Sequence, residues 1–129
     1  MATKRIYFLH QEHGTWLNQL SFYFDEIKCF QDELAFVASS LDRDKENKIV
    51  KKYRQKFMDL LYDIDEFRYI IHLHENYLAE QAHKGQHLAF DHCEECDRIG
   101  DFEKKFEKVK KEVKAFIADK LPKTRIEIH

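Results

Sequence analysis

An all-α fold, an elongated antiparallel three-helix bundle with coiled-coil-like heptad packing, is the expectation from three features of this sequence. Helix breakers are scarce: the 129 residues include three Gly and one Pro. Charged residues make up 36% and aromatic residues 14%, a mixture suited to solvated helix faces around a large apolar core. Apolar residues recur at spacings of three and four along three long segments, which is the period of a helix with one buried face.

The first helix is expected over about residues 10–40, with Trp16, Leu20, Tyr23, Ile27, Phe30, Leu34, Val37 and Leu41 as its seam. Gly14 argues against an earlier start, and Thr15 is a candidate N-cap. Residues 1–8, with Ile6, Tyr7 and Phe8, read as an arm packed on the bundle. A short turn at 39–44 follows, with Asp42 or Asp44 as the cap of the next helix. The second helix is expected over about 45–83, with Val50, Tyr53, Phe57, Leu60, Ile64, Phe67 and Ile71 facing inward. Lys84-Gly85-Gln86 is the second turn, Gly85 being suited to a left-handed C-terminal position. The third helix is expected over about 87–120, with Ile99, Phe102, Phe106, Val109, Val113 and Phe116 inward. Gly100 within it costs about 1 kcal/mol relative to Ala, and Pro122 ends it. The whole chain, 1–129, reads as a single helical domain.

Short turns between long helices make neighbours antiparallel. Counting back from the turns places His13 opposite Leu78 and Trp16 opposite His74. It also places His74 opposite Glu95 and Leu78 near His92. The apolar seam changes character here. Extending each helix's seam by a step or two reaches His13, then His74, then His92 and Glu95. All four fall beside the second turn, and every histidine of the eight except His129 belongs to this end. His10, Glu75, Asp91 and Cys96 flank the seam.

Burying an imidazole or a carboxylate costs several kcal/mol unless it is paired or bound to a metal. Two readings follow. In the first, His13, His74, His92 and Glu95 ligate a transition metal, zinc or iron foremost, with His10, Glu75, Asp91 and Cys96 as secondary candidates. Imidazole nitrogen and carboxylate oxygen are the donors such ions take, and bundle cores build metal sites from inward side chains on facing helices. In the second, the bundle end is open to water and the polar residues are merely solvated. Cys93-x-x-Cys96 lies in the same segment, but it has no second Cys pair and no βαβ context for a redox motif.

Other chemistries find little support. Three scattered glycines leave no phosphate-binding loop, and no nucleophile elbow is present. The paired Glu-x-x-His elements of ferritin-like bundles are absent, and His92-x-x-Glu95 runs in the reverse order. A net charge of -2 argues against nucleic acid as the main partner. No run of about 18 apolar residues exists to cross a membrane. The N-terminus lacks the apolar core of a signal peptide, so a cytoplasmic location is expected, with its three cysteines as thiols. Phe22, Cys29 and Phe36 recur every seven residues on the outward face of the first helix, and Tyr62 and Tyr69 do so on the second. Apolar stripes facing away from a core mark an association surface, here for a homo-oligomer. An interaction bundle with no metal is therefore the alternative function.

Overall fold

In a computed structural model the chain forms three α-helices that pack on one another: α1 (Ala2–Ser39), α2 (Asp44–Lys84) and α3 (His92–Lys120). Residues 2–39, 44–84 and 92–120 are described, excepting the side chains of 2–5, 44–46, 84 and 92–94. Both interhelical turns, with Leu41, Asp42, Gly85 and Asp91, and the tail beyond 120 lie outside the described residues. No helix among the described residues is long and apolar enough to cross a membrane.

The seam is the core. Leu20, Ile27, Leu34, Phe57, Leu60, Ile64, Ile71, Phe106 and Val113 are fully buried. Tyr23, Tyr53 and Phe116 pack against this cluster while half-buried. Leu61 and Ile117 also join the core, one residue beside the expected positions, because helices packed on two partners bury a stripe wider than one seam. Aromatic rings lock the layers: Phe30 stacks on Phe57 at 6.1 Å and Tyr23 sits 4.9 Å from Phe106. The lysine- and glutamate-rich stretch of α3 is a solvated face, with Phe106, Val109 and Val113 turned inward.

Cross-helix pairs give the topology. On α2 and α3, Lys56 donates to Glu112 at 3.1 Å, Lys105 pairs with Asp63 at 3.1 Å, and Tyr53 meets Phe116 at 5.7 Å. Residue numbers rise on one helix as they fall on the other, so the two are antiparallel. On α1 and α2, His13 pairs with Glu75, Trp16 with Phe67 and Phe30 with Phe57, again antiparallel. Hence α1 and α3 run parallel, as Lys110 with Glu26 and Tyr23 with Phe106 show. The Glu26 contact holds the Lys110 ammonium above its ordinary pKa. Burial, then the carboxylates Glu103, Glu107 and Glu26, push the Tyr23 phenol up. The α2–α3 register matches the count from the turns. The α1–α2 register differs by about one helical turn, since His13 meets Glu75 where Leu78 was expected.

α1 departs most from expectation. It begins at Ala2 and so takes in most of residues 1–8, which the sequence suggested were an arm. Gly14 and Thr15 are mid-helix, and the Thr15 hydroxyl donates to the Gln11 carbonyl at 3.1 Å in place of capping. Packing overrides propensity here. Leu9 extends the seam one turn beyond His13 and is 2% exposed, and burying a leucine contributes about 1.5–3 kcal/mol, more than a mid-helix glycine costs.

A Cβ added at Gly14 or Gly100 would meet nothing within 4 Å. Gly14→Ala and Gly100→Ala are each expected to stabilise the chain by about 1 kcal/mol, raising the melting temperature by roughly 3–5 °C. Thermal unfolding followed by circular dichroism checks this, and a decrease for either would contradict the open surroundings of that position.

Candidate metal centre

Each helix sends one inward polar side chain into the same layer: His13 from α1, His74 from α2 and Glu95 from α3. His13 lies one turn from Leu9 and from Trp16, so helical spacing alone carries it into the core. It is 0% exposed, and Glu95 is 2% exposed. His13 and Glu95 are thus shielded from water, while His74 keeps 26% of its side chain exposed. Leu9, Leu78 and Gln81 are buried beyond this layer, while the main apolar cluster, from Trp16 and Ile71 onward, closes it on the other side.

The contacts are specific. His13 Nδ1 lies 2.9 Å from Glu75 Oε1, and His13 Nε2 lies 2.9 Å from Glu95 Oε2. The other Glu95 oxygen, Oε1, is in contact with His74 Nδ1. The other Glu75 oxygen, Oε2, lies 2.8 Å from His10 Nδ1. Two carboxylates and three imidazoles thus form one chain: His10, Glu75, His13, Glu95, His74. The His13 ring lies 5.6 Å from Trp16 and 6.2 Å from His74, centroid to centroid.

Proton counting makes His13 informative. A neutral imidazole carries one N–H and one lone pair, yet both ring nitrogens of His13 face carboxylate oxygens. Without a metal, the contact requires an extra proton: an imidazolium held between two carboxylates, or a carboxylic acid. A cation at the Glu95 side removes that requirement. Nε2 would then be free to give its lone pair to an ion, and Nδ1 would keep its proton and donate it to Glu75. That is the carboxylate–histidine–metal arrangement by which proteins fix the tautomer of a ligating imidazole.

Ligand atoms of His13, His74 and Glu95 all lie within 4.8 Å of one another. Bonds of about 2.0–2.2 Å set tetrahedral ligand atoms about 3.4 Å apart, a difference that side-chain torsions can absorb. Charge balances as well. One divalent ion offsets Glu75 and Glu95 with all the contacting imidazoles neutral, so the layer buries no net charge.

Of the residues singled out from sequence, the structure brings His13, His74 and Glu95 together and adds Glu75 and His10 around them. Cys96 is exposed and stands outside the group. His92 opens α3 one turn before Glu95, but its side chain, like Asp91, lies outside the described residues. His72 and His83 are exposed. Glu75 was legible only as a flanking residue, because its inward reach depends on the α1–α2 register that counting missed by a turn.

No family model, no curated protein and no solved structure matches this chain.

Proposed function

We propose that this bundle binds one divalent transition-metal ion, zinc or iron, through His13, His74 and Glu95. Glu75 orients His13 from behind. The observation that carries this reading is an imidazole with no solvent exposure and a carboxylate at each ring nitrogen. Three protein ligands leave a further position on the ion. His92, one turn before Glu95 on the same helix, is the candidate to fill it; otherwise water does, as in metal sites that react or sense. Elemental analysis of untagged protein prepared without chelator is the direct test. About one zinc or iron per chain is expected, lost in the His74→Ala, Glu95→Gln double variant. A metal-free native chain that also takes up no added zinc or ferrous ion would sink the reading and leave the layer as a purely structural ion pair.

A second reading, an interaction bundle, is favoured by the outward stripe. Phe22 is 64% and Phe36 55% exposed, and Tyr62 and Tyr69 are similarly bare; Cys29 lies between the two phenylalanines and is exposed. On this reading two copies associate through α1. Sedimentation equilibrium is expected to show a dimer in the native chain and a monomer after Phe22→Ser with Phe36→Ser. A native monomer at high micromolar concentration would refute it. The two readings are compatible, since the stripe faces away from the buried layer.

A further inference from the structure

We propose that His10 and Glu75 form an outer capture position for a divalent transition-metal ion, through which the ion reaches the buried set; this rests on the metal reading above. A buried site needs a path for its ion; His13 and Glu95 are 0% and 2% exposed and meet no hydrated ion first, and His74 exposes 26% of its side chain, well below His10. The His10 side chain meets the ion first, being 67% exposed. Glu75 is intermediate, with 24% of its side chain exposed.

One carboxylate joins the exposed imidazole to the buried one. Glu75 Oε2 lies 2.8 Å from His10 Nδ1, and Glu75 Oε1 lies 2.9 Å from His13 Nδ1. His10 and His13 are three residues apart on α1, so they share a face and reach the same α2 side chain. A groove of about 460 Å³ opens on this point, lined by Tyr7, His10, Gln11, Gly14, Leu17 and Glu75. Gly14 contributes no side chain, and the space a Cβ would take is open to 4 Å. On the rim the Gln11 amide donates to the Tyr7 hydroxyl at 2.9 Å. Among the described residues of the groove, only His10 and Glu75 offer an imidazole or a carboxylate.

An imidazole nitrogen and a carboxylate oxygen are suitable donors for zinc, ferrous or cobaltous ions. Two protein donors, with water completing the shell, hold an ion briefly and do not retain it. On capture His10 adopts the tautomer protonated at Nε2, which frees the Nδ1 lone pair for the ion. Glu75 faces the protonated Nδ1 of His13, so the ion leaves Glu75 and passes around the His13 ring to the Nε2 side, where Glu95 and His74 replace its remaining waters. The outer position governs rates, whereas the inner set governs affinity.

Stopped-flow absorbance with cobaltous ion and the full-length chain separates these roles. The bands of Co²⁺ intensify as it leaves water for a lower-coordinate protein site. A native chain that gives no such change fails the metal reading itself, before the capture position is tested. Given native binding, His10→Ala is expected to lower the association rate constant about tenfold and the dissociation rate constant in proportion, leaving the equilibrium constant unchanged. Gly14→Leu, which obstructs the groove without touching a donor, is expected to slow both rates in the same way. His83→Ala, an exposed imidazole on the same helix as Glu75 but about two turns away, is expected to leave both rates as in the native chain. Circular dichroism confirms that each variant is folded. An unchanged association rate in His10→Ala overturns the proposal. So does weakened affinity at an unchanged association rate, which would make His10 a supporter of the stored ion. An equal slowing by His83→Ala overturns it too, since any surface imidazole would then suffice.

Discussion

Saturating zinc is expected to raise the melting temperature of this chain by more than about 10 °C, and excess chelator to reverse the rise. The reason is linkage. An ion that binds the folded but not the unfolded chain stabilises by about 4 kcal/mol at a thousandfold excess over its dissociation constant. For a domain of this size that corresponds to roughly 12–20 °C. The unfolded chain is a poor competitor: His13 is 62 residues from Glu75 and 82 from Glu95 in sequence, so only the assembled bundle presents the three donors together. Differential scanning calorimetry with zinc, anaerobic ferrous ion and nickel, each with and without chelator, measures the effect and ranks the ions. A shift of under about 2 °C with all three, at concentrations where linkage predicts several kcal/mol, would mean that the layer is held by hydrogen bonds alone and that no ion enters it.

Much of this architecture is legible in the residue pattern, and the failures have physical causes. The three seams appear where the 3.6-residue period places them, because nothing but burial explains Phe57, Ile64 and Phe106 in otherwise charged helices. The convergence of His13, His74 and Glu95 follows from the same periodicity extended one turn further, since phase along a straight helix is a local property. The start of α1 is not local. Gly14 and Thr15 are genuine break signals, yet they are overridden by Leu9 packing and by the pairing of His10 and His13 with Glu75. The burial of this end is illegible for the same reason: Leu9 joins Leu78 and Gln81 over the polar layer only if α1 reaches back past Leu9. Register carries the remaining error. A helix pair joined by a turn of uncertain geometry slips by one turn at no cost to its apolar pattern, which moves Glu75 from the flank of the site into contact with His13.

Removing the Glu95 carboxylate is expected to be the most damaging single substitution. In the presence of chelator, Glu95→Ala should destabilise the chain by about 3–5 kcal/mol, the usual cost of taking one partner from a buried charged pair. It leaves His13 Nε2 and His74 Nδ1 facing each other across a cavity beside the buried Leu9 and Leu78. That loss is a large share of the roughly 5–15 kcal/mol available to a small domain, and urea unfolding at neutral pH measures it. The informative comparison is with the concerted change His13→Leu, His74→Leu, Glu95→Leu, which continues the apolar seam through the layer. Replacing buried ionic residues by well-packed apolar ones is neutral or stabilising by up to about 4 kcal/mol, and Glu75, left in place, keeps His10 as a partner and part of its exposure to water. The triple variant is therefore expected to equal or exceed the metal-free native chain in stability and to ignore zinc. If it does, the polar layer costs the fold stability that an apolar seam would have supplied, and departures of that kind from a consistent core are where function resides. If the triple variant instead unfolds while the native chain also ignores zinc, the layer exists to fix the register of α1 against α2, and His13 is a structural imidazolium between two carboxylates.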